Sequence, residues 1–217
     1  MPTTTAVPAT ETGISRAPAS TGAIVALLAI AAGVAGCGGG AGSASAPSAS
    51  AHGPAAKAAA SSGLRPAPAP SGWRIMRIPN GATLAYPPGW RRIQSDFDTA
   101  SVALIGPGGQ ILGYLNITPQ QGQETLANWN HFRIDHNGEE GDRAIVTLAT
   151  AGGVRFRTGH GSCVRDSYIT RSANHYTELA CIVAGRRATT VVVGTALTKS
   201  WRRISPLLKR AISTITT

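Results

Sequence analysis

Hydrophobic and polar positions divide the chain into three textures. Residues 22–36, GAIVALLAIAAGVAG, form one uncharged apolar run. Residues 38–72 hold 12 Ala, 7 Gly, 7 Ser and 5 Pro, with only His52, Lys57, Leu64 and Arg65 besides. From Trp73 the pattern changes to short runs rich in Val, Ile, Thr and aromatic residues, broken by Gly, Pro and Asn, which is how strands separated by turns read. These runs predict strands near 73–78, 82–86, 90–95, 101–105, 110–118, 143–149, 154–159, 163–170, 175–184 and 187–195. Pro79-Asn80-Gly81 and Pro107-Gly108-Gly109 supply turn chemistry between neighbours. Val191-Val192-Val193 is apolar at consecutive positions, so it predicts a central strand covered on both faces.

Two segments follow a helical period instead. In residues 123–136, QETLANWNHFRIDH, the spacing of Leu126, Trp129 and Phe132 predicts an amphipathic helix. From Thr198 to the end, Trp201, Ile204, Leu208, Ala211, Ile212 and Ile215 recur at helical intervals, and Ser205-Pro206 either starts a helix there or bends one. Helices covering an antiparallel sheet make an α+β domain.

The chain has 217 residues, yet none of its 11 aromatic residues precedes Trp73. Residues 73–217 therefore form the one globular domain, and no second core is available. Residues 37–72 bury too little to offset chain entropy and are expected to be a disordered tether spanning roughly 30–35 Å. The apolar run of 22–36 would be about 22 Å long as a helix, short of a hydrocarbon core of about 30 Å but right for a secretory signal. It ends in Val34-Ala35-Gly36-Cys37, which resembles the lipobox of bacterial lipoproteins. That resemblance makes residues 1–36 a signal peptide and implies an acylated Cys37, holding the chain on the outer face of the cytoplasmic membrane. The segment before the run departs from a positive leader, with Arg16 against Glu11, which a misplaced start codon explains. An uncleaved anchor and an ordinary signal peptide with a free Cys37 are the alternatives.

With Cys37 acylated, Cys163 and Cys181 remain as an even pair in an oxidising compartment. The segment between them reads as two strands around Arg171-Ser172-Ala173-Asn174. Folding it about Ser172 sets Cys163 opposite Cys181, within reach of a disulfide worth about 3 kcal/mol in the chain-entropy model. The same register opposes Asp166 and Glu178, a like-charge pair that calls for a nearby Arg or a bulge.

A strand running into Tyr86-Pro87-Pro88-Gly89-Trp90, then further strands, a mid-chain helix, a long antiparallel run and a closing helix, resembles the PsbP-like fold. Within it the lipobox and tether point to the actinobacterial LpqN-type lipoproteins. The likeness covers residues 73–217 and implies a non-enzymatic binding or accessory protein, with no catalytic residues to carry over and no cofactor. Trp90 reads as a core aromatic.

The residues themselves offer little chemistry. Gly159-His160-Gly161-Ser162-Cys163 permits a Cys-His or Ser-His reading, but a cysteine with a disulfide partner in an oxidising compartment is structural. His160, Cys163, His175 and Cys181 match no common zinc spacing. His131 and His136 lie about 140° apart around a helix and do not converge on a metal. Asp135, Glu139, Glu140 and Asp142 read as a solvated loop rather than a calcium site, and the Asn116-Ile117-Thr118 sequon has no role in a bacterial lipoprotein. Charge is more informative. The net +10 comprises +2 over residues 37–72, +1 over 73–178 and +7 over 179–217, where Arg186, Arg187, Lys199, Arg202, Arg203, Lys209 and Arg210 face no acid. These seven are the candidate surface for an anionic lipid, wall polymer or envelope protein; an exported location excludes nucleic acid. The expectation is a lipid-anchored binding module of the cell envelope, the alternative a small envelope hydrolase or transferase with a dispersed site.

Overall fold

The computed structural model describes Ser61 and residues 63–217. The apolar run and Cys37 lie outside the described residues. Among the described residues, nine strands and two α-helices follow in the order β1 (Arg74–Arg77), β2 (Thr83–Tyr86), β3 (Arg91–Ile93), β4 (Ala100–Ile105), β5 (Ile111–Pro119), α1 (Trp129–Glu139), β6 (Arg143–Arg155), β7 (Gly159–Ile169), β8 (His175–Gly185), β9 (Thr189–Leu197) and α2 (Trp201–Ile212). Seven strands form one antiparallel sheet in the order β3-β4-β5-β9-β8-β7-β6, and β1 and β2 pair as a separate hairpin.

The two faces of the sheet follow from side-chain alternation. On one face Leu115, Ile117, Leu179, Cys181, Val183, Val192 and Ala196 pack with Ile204, Leu208, Ala211 and Ile212 of α2 and with Met76 and Leu84 of the β1–β2 hairpin. A Cβ on Gly194 would stand 3.2 Å from Cβ of Leu208, so glycine lets α2 lie close on β9. On the other face Val164, Ala180, Ile182, Val191 and Val193 pack with Trp129 of α1. Val191–Val193 is thus covered on both sides, in a strand lying between β5 and β8.

The register of β7 on β8 sets Cys163 opposite Cys181, joined as a disulfide with Cα atoms 4.1 Å apart, and Asp166 opposite Glu178. Three elements differ from expectation. The strands expected at 143–149 and 154–159 are one strand, β6, whose ladder slips at three places, one of them between Ala151 and Val154 around Gly153 (φ 66°). α1 begins at Trp129 rather than residue 123 because side chains hold the preceding backbone in turns. The Asn128 amide oxygen accepts the Thr125 N–H at 2.6 Å, and the Glu124 carboxylate accepts those of Gln121 and Gly122 at 2.7 Å each. The packed chain also starts nine residues before the expected boundary at Trp73. Leu64 joins the larger core cluster, while the N–H groups of Arg65 and Ala67 donate to the hydroxyl and carbonyl of Ser213 at 3.1 Å each.

Candidate functional site

Because α1 lies over β6, β7 and β8, the same sheet face stays open beside it, over β4, β5 and β9. The result is a cleft of about 510 Å³. Its floor is set by strand alternation: Ser101 from β4, Tyr114, Asn116 and Thr118 from β5, Val191 and Val193 from β9. Its wall is α1, where Trp129, Phe132 and His136 make a ladder of near-parallel rings with centroids 6.2 and 6.0 Å apart. The loops carrying Asp96 and Glu124 form the rim, with Phe97, 89% exposed, between β3 and β4.

At the inner end Arg133 reaches down from α1 onto the sheet. Its Nε–H and Nη2–H donate to Oε1 and Oε2 of Glu178 at 2.6 and 2.9 Å, a two-pronged ion pair with Glu178 fully buried. Thr195 (3.3 Å) and Tyr168 (3.4 Å) also donate to Glu178 Oε2. Burial opposes the charge on Arg133, but Glu178 outweighs it and holds the guanidinium protonated. Asp166 is buried too, yet neither of its carboxyl oxygens has a hydrogen-bond partner. Burial first, and then the charge of Glu178, push its pKa up to about 8. Burial and Glu178 likewise raise the pKa values of Tyr114 and Tyr168. The like-charge pair is therefore relieved twice, by an arginine from a helix 45 residues away from Glu178 in sequence and by protonation of Asp166.

The seven expected basic residues are spread over the domain. Arg202, Arg203 and Arg210 are exposed on α2, Lys209 is partly covered, and Lys199 sits in the turn before the helix. Arg186 and Arg187 occupy the β8–β9 turn, at the far end of β9 from Lys199, roughly 30 Å away by strand rise. None of the seven forms an ion pair with an acid among the described residues. A second cavity of about 500 Å³ lies between residues 63–67 and α2, lined on one side by Arg65 and on the other by Ser205, Lys209, Arg210 and Ser213. Burial and the nearby charge of Arg165 lower the pKa of Lys209.

Other expected candidates do not converge. Cys163 is bonded to Cys181, and the Ser162 hydroxyl donates to the Leu126 carbonyl at 2.6 Å. His160 and His175 lie at opposite ends of the β7–β8 hairpin, opposite Ala184 and Ile169. His131 is exposed, while His136 approaches Glu140 at 3.3 Å. Asn116 donates to Ser101 in the cleft floor at 2.9 Å. The sequence does not mark Arg65, Glu124 or Arg133 as site residues. Only for Arg133 was there a signal, in the opposed Asp166 and Glu178.

Neither a protein-family model nor a curated protein matches this chain. Solved structures do resemble it. LpqN, involved in cell envelope biogenesis of Mycobacterium tuberculosis, matches at a TM-score of 0.37 with 14% identity, over 67% of this chain and 91% of that one. A Pseudomonas aeruginosa protein of unknown function matches at 0.44 with 16% identity, over 67% and 96%. The cyanobacterial PsbP of Synechocystis matches at 0.50 with 12% identity, over 67% and 92%. The large antiparallel sheet with a helix on each face is a PsbP-like fold, and at this identity the likeness is one of fold alone.

Proposed function

We propose that this protein is a lipid-anchored, non-enzymatic binding or accessory module of the cell envelope, held by an acylated Cys37 and turning the α2 face toward an anionic surface. The observation that supports the reading most is where the tether meets the domain. Leu64, Arg65 and Ala67 pack on the end of α2, so the first packed residues of the domain lie on the helix that carries Arg202, Arg203, Lys209 and Arg210. Each cation near an anionic leaflet contributes about 1 kcal/mol, and tethering raises the local concentration of that surface. The Cys163–Cys181 disulfide suits an exported location.

Both hydrophobic clusters and the disulfide lie within residues 64–217, so a chain beginning at Ser61 separates the basic face from the lipid. It should co-sediment with phosphatidylglycerol vesicles at low salt and not with neutral phosphatidylcholine vesicles. Release is expected near 1 M salt, where the screening length falls to about 3 Å. The Arg202→Glu and Arg203→Glu double variant should bind at least about tenfold more weakly. Equal binding to neutral vesicles, or no effect of charge reversal, would discard the electrostatic docking face.

A further inference from the structure

We propose that the cleft between α1 and the β4-β5-β9 face binds a small organic cation, a protonated amine on an apolar carbon chain, with Glu124 as its buried counter-charge. This inference is independent of how α2 is used. In a chain of net charge +10, the cleft lining contributes three carboxylates, Asp96, Glu124 and Glu140. The single Arg in that lining, Arg133, is already consumed by Glu178.

Glu124 is the most deeply buried of the three. It is 4% exposed and faces the cleft, and its oxygens accept only the N–H groups of Gln121 and Gly122, at 2.7 Å each. No cation pairs with it among the described residues. A buried carboxylate without a counter-charge is costly, and a ligand ammonium in the adjoining cleft removes that cost. Tyr114 and Phe132 line the same cleft, and Val191 and Val193 give it an apolar bed for a carbon chain.

The shape of the negative charge selects the ligand class. Among the described residues, no three His, Cys, Asp or Glu side chains gather closely enough to hold a metal ion. Asp96, Glu124 and Glu140 come from three separate segments and do not converge, which suits a cation with length rather than a point ion. An anion would meet Asp96, Glu124 and Glu140, whereas the unpaired Arg residues of α2 lie on the opposite face of the sheet.

The test is calorimetric titration of the full chain in neutral detergent micelles with 1,5-diaminopentane, beside 1,5-pentanediol and inorganic phosphate as uncharged and anionic controls. Saturable binding of the diamine alone is expected, weakened at least about tenfold by Glu124→Gln and severalfold by Asp96→Asn. Asp96 lies on the exposed rim and uses only its backbone carbonyl, so Asp96→Asn decides the question if Glu124→Gln disturbs its loop. No saturable diamine binding, equal affinity for the diol, or an affinity unchanged in both variants would overturn the assignment.

Discussion

Asp166 and Glu178 face each other across adjacent strands, and a single guanidinium serves only one of them. Arg133 takes Glu178 in a two-pronged pair, which leaves Asp166 buried, unbonded and raised to a pKa of about 8. An aspartate in the unfolded chain titrates near 3.9. Between about pH 4 and 8 the folded protein therefore holds a proton that the unfolded chain has released, so this site loses stability as pH rises through that window and changes little above it. Asp166→Asn keeps the shape of the neutral acid and removes the titration. Its melting temperature should match the wild type near pH 4 and exceed it increasingly toward pH 8. Parallel curves for the two proteins would show that Asp166 does not carry this proton.

At the scale of elements, the β7–β8 hairpin is the best-determined part of the fold, because a symmetric turn and two cysteines fix one register. The disulfide closes a separation of 18 residues, so Cys163→Ala with Cys181→Ala should cost about 3 kcal/mol, read as a lower denaturation midpoint. A loss below about 1 kcal/mol would mean that the strands alone hold the hairpin. Strands were legible where alternation and turn residues agree, as at Pro79-Asn80-Gly81 between β1 and β2. They were less legible in β6, where Gly152-Gly153 reads as a break yet forms a bulge within one strand. The start of α1 was hidden because Glu124 and Asn128 spend their side chains on local turns that no apolar period records. The cleft was hidden for a topological reason: β9 inserts between β5 and β8, so Tyr114, Glu124, Phe132 and Val191 meet only after the sheet is assembled. Leu64 gives no periodic signal because it is the single large apolar residue in the 35-residue stretch 38–72.

At the scale of the whole molecule, the sheet separates two kinds of charge, with basic α2 on one face and the carboxylate-rimmed cleft on the other. The α2 face depends on the last residues of the chain. The Ser213 hydroxyl and carbonyl hold the N–H groups of Arg65 and Ala67, and the Thr214 hydroxyl accepts the Ala85 N–H at 3.0 Å. Thr216 bridges to Thr83, the Thr217 N–H donates to Thr158 at 2.8 Å, and Ile215 is fully buried. The C-terminus is thus a clasp that closes α2 against both the β1–β2 hairpin and the incoming tether. Deleting Ile215–Thr217 removes a buried isoleucine and the Thr83–Thr216 bridge, a loss of about 3–5 kcal/mol. With the clasp loosened, the amides of Arg65 and Ala67 should exchange with solvent faster than in the intact chain, while the Ala180 amide in the middle of the sheet stays protected. A truncated chain that stays within about 1 kcal/mol of the parent, with both tether amides still protected, would show that α2 holds the tether without the C-terminus.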